Sequence, residues 1–422
     1  MNGKSCSRTN WSPPLSAHGQ IAACAALGLM AVYLWVLPTD HSIALRHLAF
    51  FSLIVLTLWS AWRYELRLRL PLALPWLIYG AVALFSAFYA IDPLFSLGEV
   101  KKEVGYGILV LMLTASWVRN VSSLERFMVI VIAGDALLVG SALFKITVLD
   151  PFWHHPVSQI TSLLYGGAGK DLYNGVGNFS TYLVTVMPLI AAYAFFLPRV
   201  QRTARLALFT LLAFNVLALF LTGNRMGLIV LMAEIIFAAG FLLTKGASAR
   251  RTLIATAIIL IVAGGLTLGQ MKVRTPVDDV RWKMWSWVIA DIRAEPLTGA
   301  GFGRTVLCLR DPAFCQAFPG LEHAHNMLLD KGIQMGLPGI AAFLLLLGMT
   351  LRTLWPSRTL GTDRRLWGYA LGATTMAIGV FLKNMTDDFF VNHNALLFWT
   401  LVGAVLGTLA GHREEAVEAQ NR

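Results

Sequence analysis

The chain has 422 residues, 57 % of them hydrophobic and only 14 % charged, with a mean hydropathy of +0.64. A soluble domain of ordinary composition is about a quarter charged, so a soluble enzyme and a disordered chain are both excluded. The excess of 34 Lys and Arg over 23 Asp and Glu gives a net charge of +11. On so apolar a chain this reads as a topology signal and as contact with anionic membrane lipids, not as nucleic-acid binding.

Apolar stretches recur along the whole chain, and about twelve are long enough to cross a bilayer core of ~30 Å. They begin near residues 17, 45, 72, 103, 124, 177, 204, 226, 252, 324, 365 and 392. The expected fold class is an all-α polytopic membrane protein. Residues 1–270 would hold nine spans, 271–323 a long loop, 324–411 three more spans, and 412–422 a charged tail. The first apolar run is full length without a convincing cleavage site, so it is predicted to be a retained helix. Short links carrying Arg67 and Arg69, Arg119 and Arg126, Arg202 and Arg205, and Arg364 and Arg365 fall on one side. The positive-inside rule makes that side cytoplasmic. An even number of spans then places both termini in the cytoplasm and the long loop in the periplasm.

That loop is basic although it lies on the side where short links are not, and long loops escape the rule. Within it, residues 280–294 are predicted to be helical, with Trp282, Trp285, Ile289 and Ile292 forming one apolar face at three- and four-residue spacing. Trp, Arg281 and Lys283 around such a face describe a helix lying among lipid headgroups, and Asp278-Asp279 reads as its start. Next comes Pro296-Leu297-Thr298-Gly299-Ala300-Gly301-Phe302-Gly303-Arg304, a glycine-dense turn that lets backbone approach a ligand closely and ends in a cation. Cys308 and Cys315 follow, and an oxidising compartment would allow them to pair.

The loop closes on His325-Asn326, nine residues before Gly336-Leu337-Pro338-Gly339, where an apolar helix opens. An imidazole at the water–lipid boundary suits proton transfer on a membrane-embedded substrate. A bland reading, a headgroup anchor at a helix end, stands beside it. His323 lies two residues earlier, so the two rings point differently, and only His325 has the following Asn326. Arg225, in Thr222-Gly223-Asn224-Arg225-Met226-Gly227, follows a short turn on the outer side, where Arg is not needed for topology; it reads as a functional cation or as a snorkelling anchor. Arg281 fits a headgroup contact as well as a phosphate contact, and Arg304 could be a solvated loop charge.

Lys101 and Lys102 sit beside Glu99 and Glu103, either as a local charge cluster or as an extra phosphate contact. Asp387 and Asp388, in the turn before the last span, could orient His325, hold a metal or cap a helix. His154-His155 beside Trp153 reads as interfacial, and Tyr173-Asn174-Gly175-Val176-Gly177-Asn178 as a polar entry to the sixth span.

The Arg281–Trp287 helix, the Pro-Leu-x-Gly-x-Gly turn and the His-Asn-x9-Gly-x-x-Gly element, in that order, resemble the O-antigen ligase superfamily. That superfamily spans O-antigen ligases, O-antigen polymerases and bacterial O-linked oligosaccharyltransferases. The motif-bearing resemblance covers roughly Tyr173 to Gly339. It implies an integral-membrane glycosyltransferase (GT-C-like) architecture in the bacterial inner membrane, with the active site under the periplasmic loop. It also implies an undecaprenyl diphosphate-linked O-antigen as donor and a lipid A-core hydroxyl as acceptor, with neither nucleotide nor metal. Carried over, the family's essential histidine falls on His325, its loop arginine on Arg304 and its other essential arginine on Arg225. Asn326, His323, Arg281, Lys102 and Asp388 complete the expected substrate-binding set. The protein-directed enzymes usually carry a sizeable soluble C-terminal region, so the short tail here favours the lipopolysaccharide ligase. Polymerase remains an alternative, and a multi-span transporter is a distant one, since no internal repeat is visible.

Overall fold

The computed structural model describes residues 17–39, 42–149, 175–198, 200–244, 278–319, 321–356 and 363–421, with scattered positions between 248 and 265. Those scattered positions are all that is described of the predicted span near 252, and the His154-His155 pair, Tyr173 and Asn174 lie outside the described residues. Every element described is helical. In chain order these are α1 (Ala17–Val36), α2 (Ile43–Tyr64), α3 (Ala73–Phe88), α4 (Pro93–Val100), α5 (Tyr106–Trp117), α6 (Val121–Phe144), α7 (Val176–Phe196), α8 (Arg202–Leu221) and α9 (Arg225–Thr244). The long loop holds α10 (Asp278–Ala294), α11 (Val306–Arg310) and α12 (Pro312–Ala317), and the chain finishes with α13 (Met327–Leu354), α14 (Arg364–Lys383) and α15 (Asn392–Gln420).

Among the described residues, eight helices are long and apolar enough to cross a membrane: α1, α2, α6, α7, α8, α9, α13 and α15. They match eight of the predicted spans. The spans expected near 72, 103 and 365 correspond to shorter or more polar elements. The first, α3, has 16 residues. The second, α5, has only 12 and is reached from α4 through a π-helical turn at Lys101–Gly105. The third, α14, carries Arg364, Arg365 and Lys383 at its ends. The expected tail 412–422 is not a separate segment, because α15 continues unbroken to Gln420.

Burial orders the bundle. α7 and α15 form its centre, whereas α2, α8 and α9 bury little and make its outer wall. Small residues allow the close contacts, as expected where lipid supplies no hydrophobic drive between helices. A Cβ at Gly407 of α15 would stand 2.5 Å from the carbonyl oxygens of Ala115 and Val118, and one at Gly372 of α14 would stand 2.8 Å from Ala192 Cβ on α7.

The long loop has a small core of its own, built from Met284, Val288 and Ile292 of α10 with Val306, Leu307, Phe314, Ala324 and Ile333. These contacts take up only part of the predicted apolar face, Ile292 and the edge of Trp285. The face α10 buries is 284/288/292, while Trp282 and Ile289 remain 66 % and 37 % exposed. Two apolar stripes satisfy the same helical period, and only the contacts with α11, α12 and α13 select between them. Trp287 Nε1 donates to Asp311 Oδ2 at 2.6 Å, Arg310 pairs with Glu295 at 3.0 Å, and Cys308 and Cys315 are disulfide-bonded.

The glycine turn and the Gly-Leu-Pro-Gly element meet each other. Pro338 cannot donate to the Gln334 carbonyl, and Gly336 leaves helical geometry at φ +67°, ψ −165°. The exposed carbonyls of Ile333 and Gln334 accept instead from Ala300 N (2.8 Å) and Gly301 N (3.1 Å), while Leu337 N donates to Pro296 O at 2.7 Å. A Cβ at Gly299 would stand 2.6 Å from the Gln334 carbonyl. The close approach these glycines permit is therefore made to the protein itself, to α13 at Gly299 and to Ala90, Phe95 and Ser96 at Gly301 and Gly303. The turn is a clamp that fixes Arg304 against the start of α13.

Candidate active site

His325 stands immediately before Asn326, the N-cap of α13, and takes the left-handed conformation at φ +48°. A non-glycine residue there costs of order 1 kcal/mol or more and persists only where its surroundings over-determine it. Those surroundings are explicit. Asn326 Oδ1 accepts from Leu328 N and Leu329 N, its Nδ2 donates to Met385 O at 2.8 Å, and Met327 N donates to Asn384 O at 2.9 Å. Asn326, expected as a substrate contact, is thus occupied in capping the helix and tying it to the α14–α15 turn.

That turn delivers Asp387. Its Oδ1 lies 3.4 Å from His325 Nδ1 and 3.4 Å from an Arg281 Nη. Its Oδ2 accepts from Lys383 Nζ at 3.3 Å and from Asn224 Nδ2 at 3.4 Å. Burial alone would raise the Asp387 carboxyl, but Lys383, the adjacent His325 ring and the Arg281 charge together hold it below the ordinary carboxylate range. An ionised Asp387 facing Nδ1 favours the tautomer with hydrogen on Nδ1 and a free lone pair on Nε2. With its oxygens shared among His325, two cations and an amide, Asp387 suits orientation of the ring rather than metal ligation.

A second pair sits alongside. The rings of His323 and His325 meet edge to face, with centroids 3.9 Å apart. Arg304 hydrogen-bonds His323 Nε2 and lies 5.6 Å from the centre of the Phe389 ring. Burial, Arg304 and His325 together depress His323 to about 2, so its imidazole stays neutral and serves as an acceptor that holds the guanidinium. Phe389 in turn rests on Gly177, where a Cβ would stand only 2.1 Å from the ring. The end of the predicted polar entry segment is thereby placed beside the site.

Arg281, Arg304, His323, His325 and Asn326 therefore converge from three separate stretches of chain. Arg225 heads α9 directly after Asn224, whose Oδ1 caps the helix by accepting from Gly227 N at 2.9 Å. Asn224 touches Asp387, which brings the Thr222–Gly227 turn to the same place. Arg225 is partly buried and has no protein partner among the described residues. Two expected residues go elsewhere. Lys102 is 54 % exposed and pairs with Glu99, and Asp388 is buried with its Oδ1 accepting from Phe390 N at 3.3 Å.

Sequence reasoning missed Lys383, fully buried at the end of α14. Its signal was the i,i+4 spacing to Asp387. It also missed Lys331, which is 2 % exposed at its side chain and pairs with both oxygens of Glu103 at 2.7 and 2.8 Å. Tyr79 donates to the same carboxylate at 2.7 Å, and Phe302 of the glycine turn lies under the ammonium. Glu103 had read as part of a surface charge cluster, because nothing in its own neighbourhood names a partner more than two hundred residues away.

Fold and site together define a multi-pass integral membrane protein with a cation-rich histidine–aspartate centre at the mouth of a helix. Residues 208–344 match the model of the O-antigen ligase family. Members of that family transfer lipid-linked glycans. The match takes in Arg225, Arg281, Arg304 and His325 and stops short of Lys383 and Asp387. A search of curated proteins returns no match.

Proposed function

We propose that this protein is an O-antigen ligase, moving polysaccharide from undecaprenyl diphosphate to a sugar hydroxyl of lipid A-core at the periplasmic face of the inner membrane. The finer architecture proposed with it is about twelve spans of the GT-C-like kind with both termini cytoplasmic, the number that the ~20-residue apolar runs suggest. One observation carries the reading: His325 and Arg281 share Asp387 Oδ1, Arg304 is held beside them on His323, and the family match covers Arg281, Arg304 and His325.

The chemistry follows from the groups. The acceptor oxygen attacks the anomeric carbon as the sugar–phosphate bond breaks, and undecaprenyl diphosphate leaves with the bonding pair. The acceptor proton passes to His325 Nε2 and Asp387 stabilises the imidazolium that forms, the division of labour of a positioned general base. No strong general acid is needed, because diphosphate is already a good leaving group. Arginine suits the growing negative charge since its fork binds phosphate bidentately and stays protonated. Each cation at ~4 Å is worth about 4 kcal/mol at an effective dielectric near 20, and only the increment gained in the transition state raises the rate. Direct displacement inverts the anomeric configuration.

The test is deletion of the gene followed by gel analysis of lipopolysaccharide. Core-only lipopolysaccharide with accumulated lipid-linked O-antigen, restored by wild type and not by His325→Ala, is the expected result. Lipopolysaccharide capped with a single repeat would instead identify a polymerase, and an unchanged pattern would remove the protein from this pathway.

A further inference from the structure

A buried charged cluster beside the glycine turn takes no part in the chemistry above. Lys331 of α13 is 2 % exposed at its side chain, and its ammonium donates to both oxygens of Glu103 at 2.7 and 2.8 Å. Glu103 reaches inward from the π-helical turn Lys101–Gly105, and Tyr79 of α3 donates to the same carboxylate at 2.7 Å. The ring of Phe302 lies 4.8 Å from the ammonium and meets the Tyr79 ring edge to face at 6.3 Å. Among the described residues of 278–319, Phe302 alone enters the main core of the bundle, whereas the loop's other buried apolar side chains pack in a core of their own. Gly301 and Gly303, on either side of it, press against Ala90, Phe95 and Ser96. Arg304 comes two residues after the ring.

Resting on the ligase reading, we propose that Phe302, seated on the Lys331–Glu103–Tyr79 network, is the latch that positions Arg304 in the site. The loop has its own core, so its placement on the bundle depends on the few points where the two meet. The bonds from Ala300 N and Gly301 N to α13 hold the turn along one line. A ring held over a cation and against a second ring opposes rotation about that line. Arg304 needs this second constraint, because its own contacts, the His323 ring and the Phe389 face, belong to other segments. A buried ion pair gives little net stability relative to hydrocarbon of the same shape, so the use of this one is geometric. Lys331 keeps its partners only while the π-helical turn holds Glu103 inward and the ring stays seated. Asp387 and His325 are tied to the α14–α15 turn instead, so loss of the latch moves Arg304 and leaves them in place.

The experiment uses the full-length protein in nanodiscs. Hydrogen–deuterium exchange is read by mass spectrometry in the glycine turn and, as a control, in α14, alongside thermal melts and kcat and KM for glycan transfer. Lys331→Met/Glu103→Met removes both charges at nearly constant volume, and Phe302→Leu removes the ring while keeping the ion pair. Both should melt within roughly 5 °C of wild type. Each should raise exchange at least fivefold in the glycine turn and not in α14. Each should also lower kcat at least tenfold, with KM for the acceptor within twofold. Should the double variant not yield monodisperse protein, Phe302→Leu decides by the same readings. Wild-type exchange in the glycine turn, an equal rise in α14, or kcat within threefold of wild type once the turn has opened would overturn the proposal. Exchange needs no transferase activity, so a wild-type protein without transfer would sink the ligase reading while exchange still decides whether the latch exists.

Discussion

Replacing Asp387 with asparagine removes the one charge on which the site is centred while leaving its shape. His325 Nδ1 and an Arg281 Nη each lie 3.4 Å from Oδ1, and Lys383 Nζ lies 3.3 Å from Oδ2. At such distances and an effective dielectric near 20, one pair of unit charges is worth ~5 kcal/mol. Arg281 and Lys383 already draw on the same carboxylate, so the increment left for a newly formed imidazolium is about half of that, ~2.5 kcal/mol, or roughly a 70-fold loss in kcat. The substitution also strands Lys383, fully buried, and breaking a buried pair costs about 3–5 kcal/mol of stability. The double variant Asp387→Asn/Lys383→Met separates these effects. It should regain thermal stability while kcat for transfer from a lipid diphosphate donor in proteoliposomes stays near the single variant's value. A single variant within threefold of wild type would refute the orientation role. A double variant restored in both respects would show that Asp387 serves only as a counter-ion.

Three further outcomes follow from the geometry. His323 is held at about 2 against an ordinary 6.5, so below pH 6.5 the unfolded chain takes up a proton that the folded one refuses. Stability should therefore fall as pH drops through the window from 6.5 toward 2, by about 2 kcal/mol between pH 6.5 and 5. Thermal melts in detergent at both values check this, with His323→Gln expected to flatten the dependence and an equal slope in the variant counting against it. Gly336→Ala places a Cβ 2.5 Å from Pro296 O at a backbone conformation open essentially to glycine alone, and should cost about 2 kcal/mol or more. Gly98→Ala, with open space around its Cβ, should be neutral or slightly stabilising in the same melts.

Much of the site was legible as separate words. His325, Arg304 and Arg281 could be picked out because each is a charged or titratable group at a loop–helix boundary of an apolar chain, where such groups are expensive. Their grammar was not legible. Asp387 and Asp388 are neighbours in sequence, yet one backs the histidine and the other is buried against the Phe390 amide; adjacent residues in an irregular turn point in unrelated directions, and no period predicts which. Asn326 read as a ligand contact because it follows the histidine, but the cap of α13 and Met385 take all of its bonds. The glycines of 299–303 read as room for substrate, and the room is filled by α13 at Gly299 and by Ala90, Phe95 and Ser96 at Gly301 and Gly303.

The order of apolar runs and polar links determined by itself that this chain is a helical membrane protein, since hydrocarbon tolerates only segments that satisfy their own backbone. Helix entrances were likewise fixed locally, by Asn326 and Asp278 at their starts and Pro338 at the break. What only the tertiary structure decided is which stripe of α10 is buried, that Lys331 meets Glu103, and that the α14–α15 turn supplies the carboxylate facing His325. These are pairings between segments from forty to more than two hundred residues apart, and they depend on packing among several helices at once, which leaves no trace in the local pattern of any one of them.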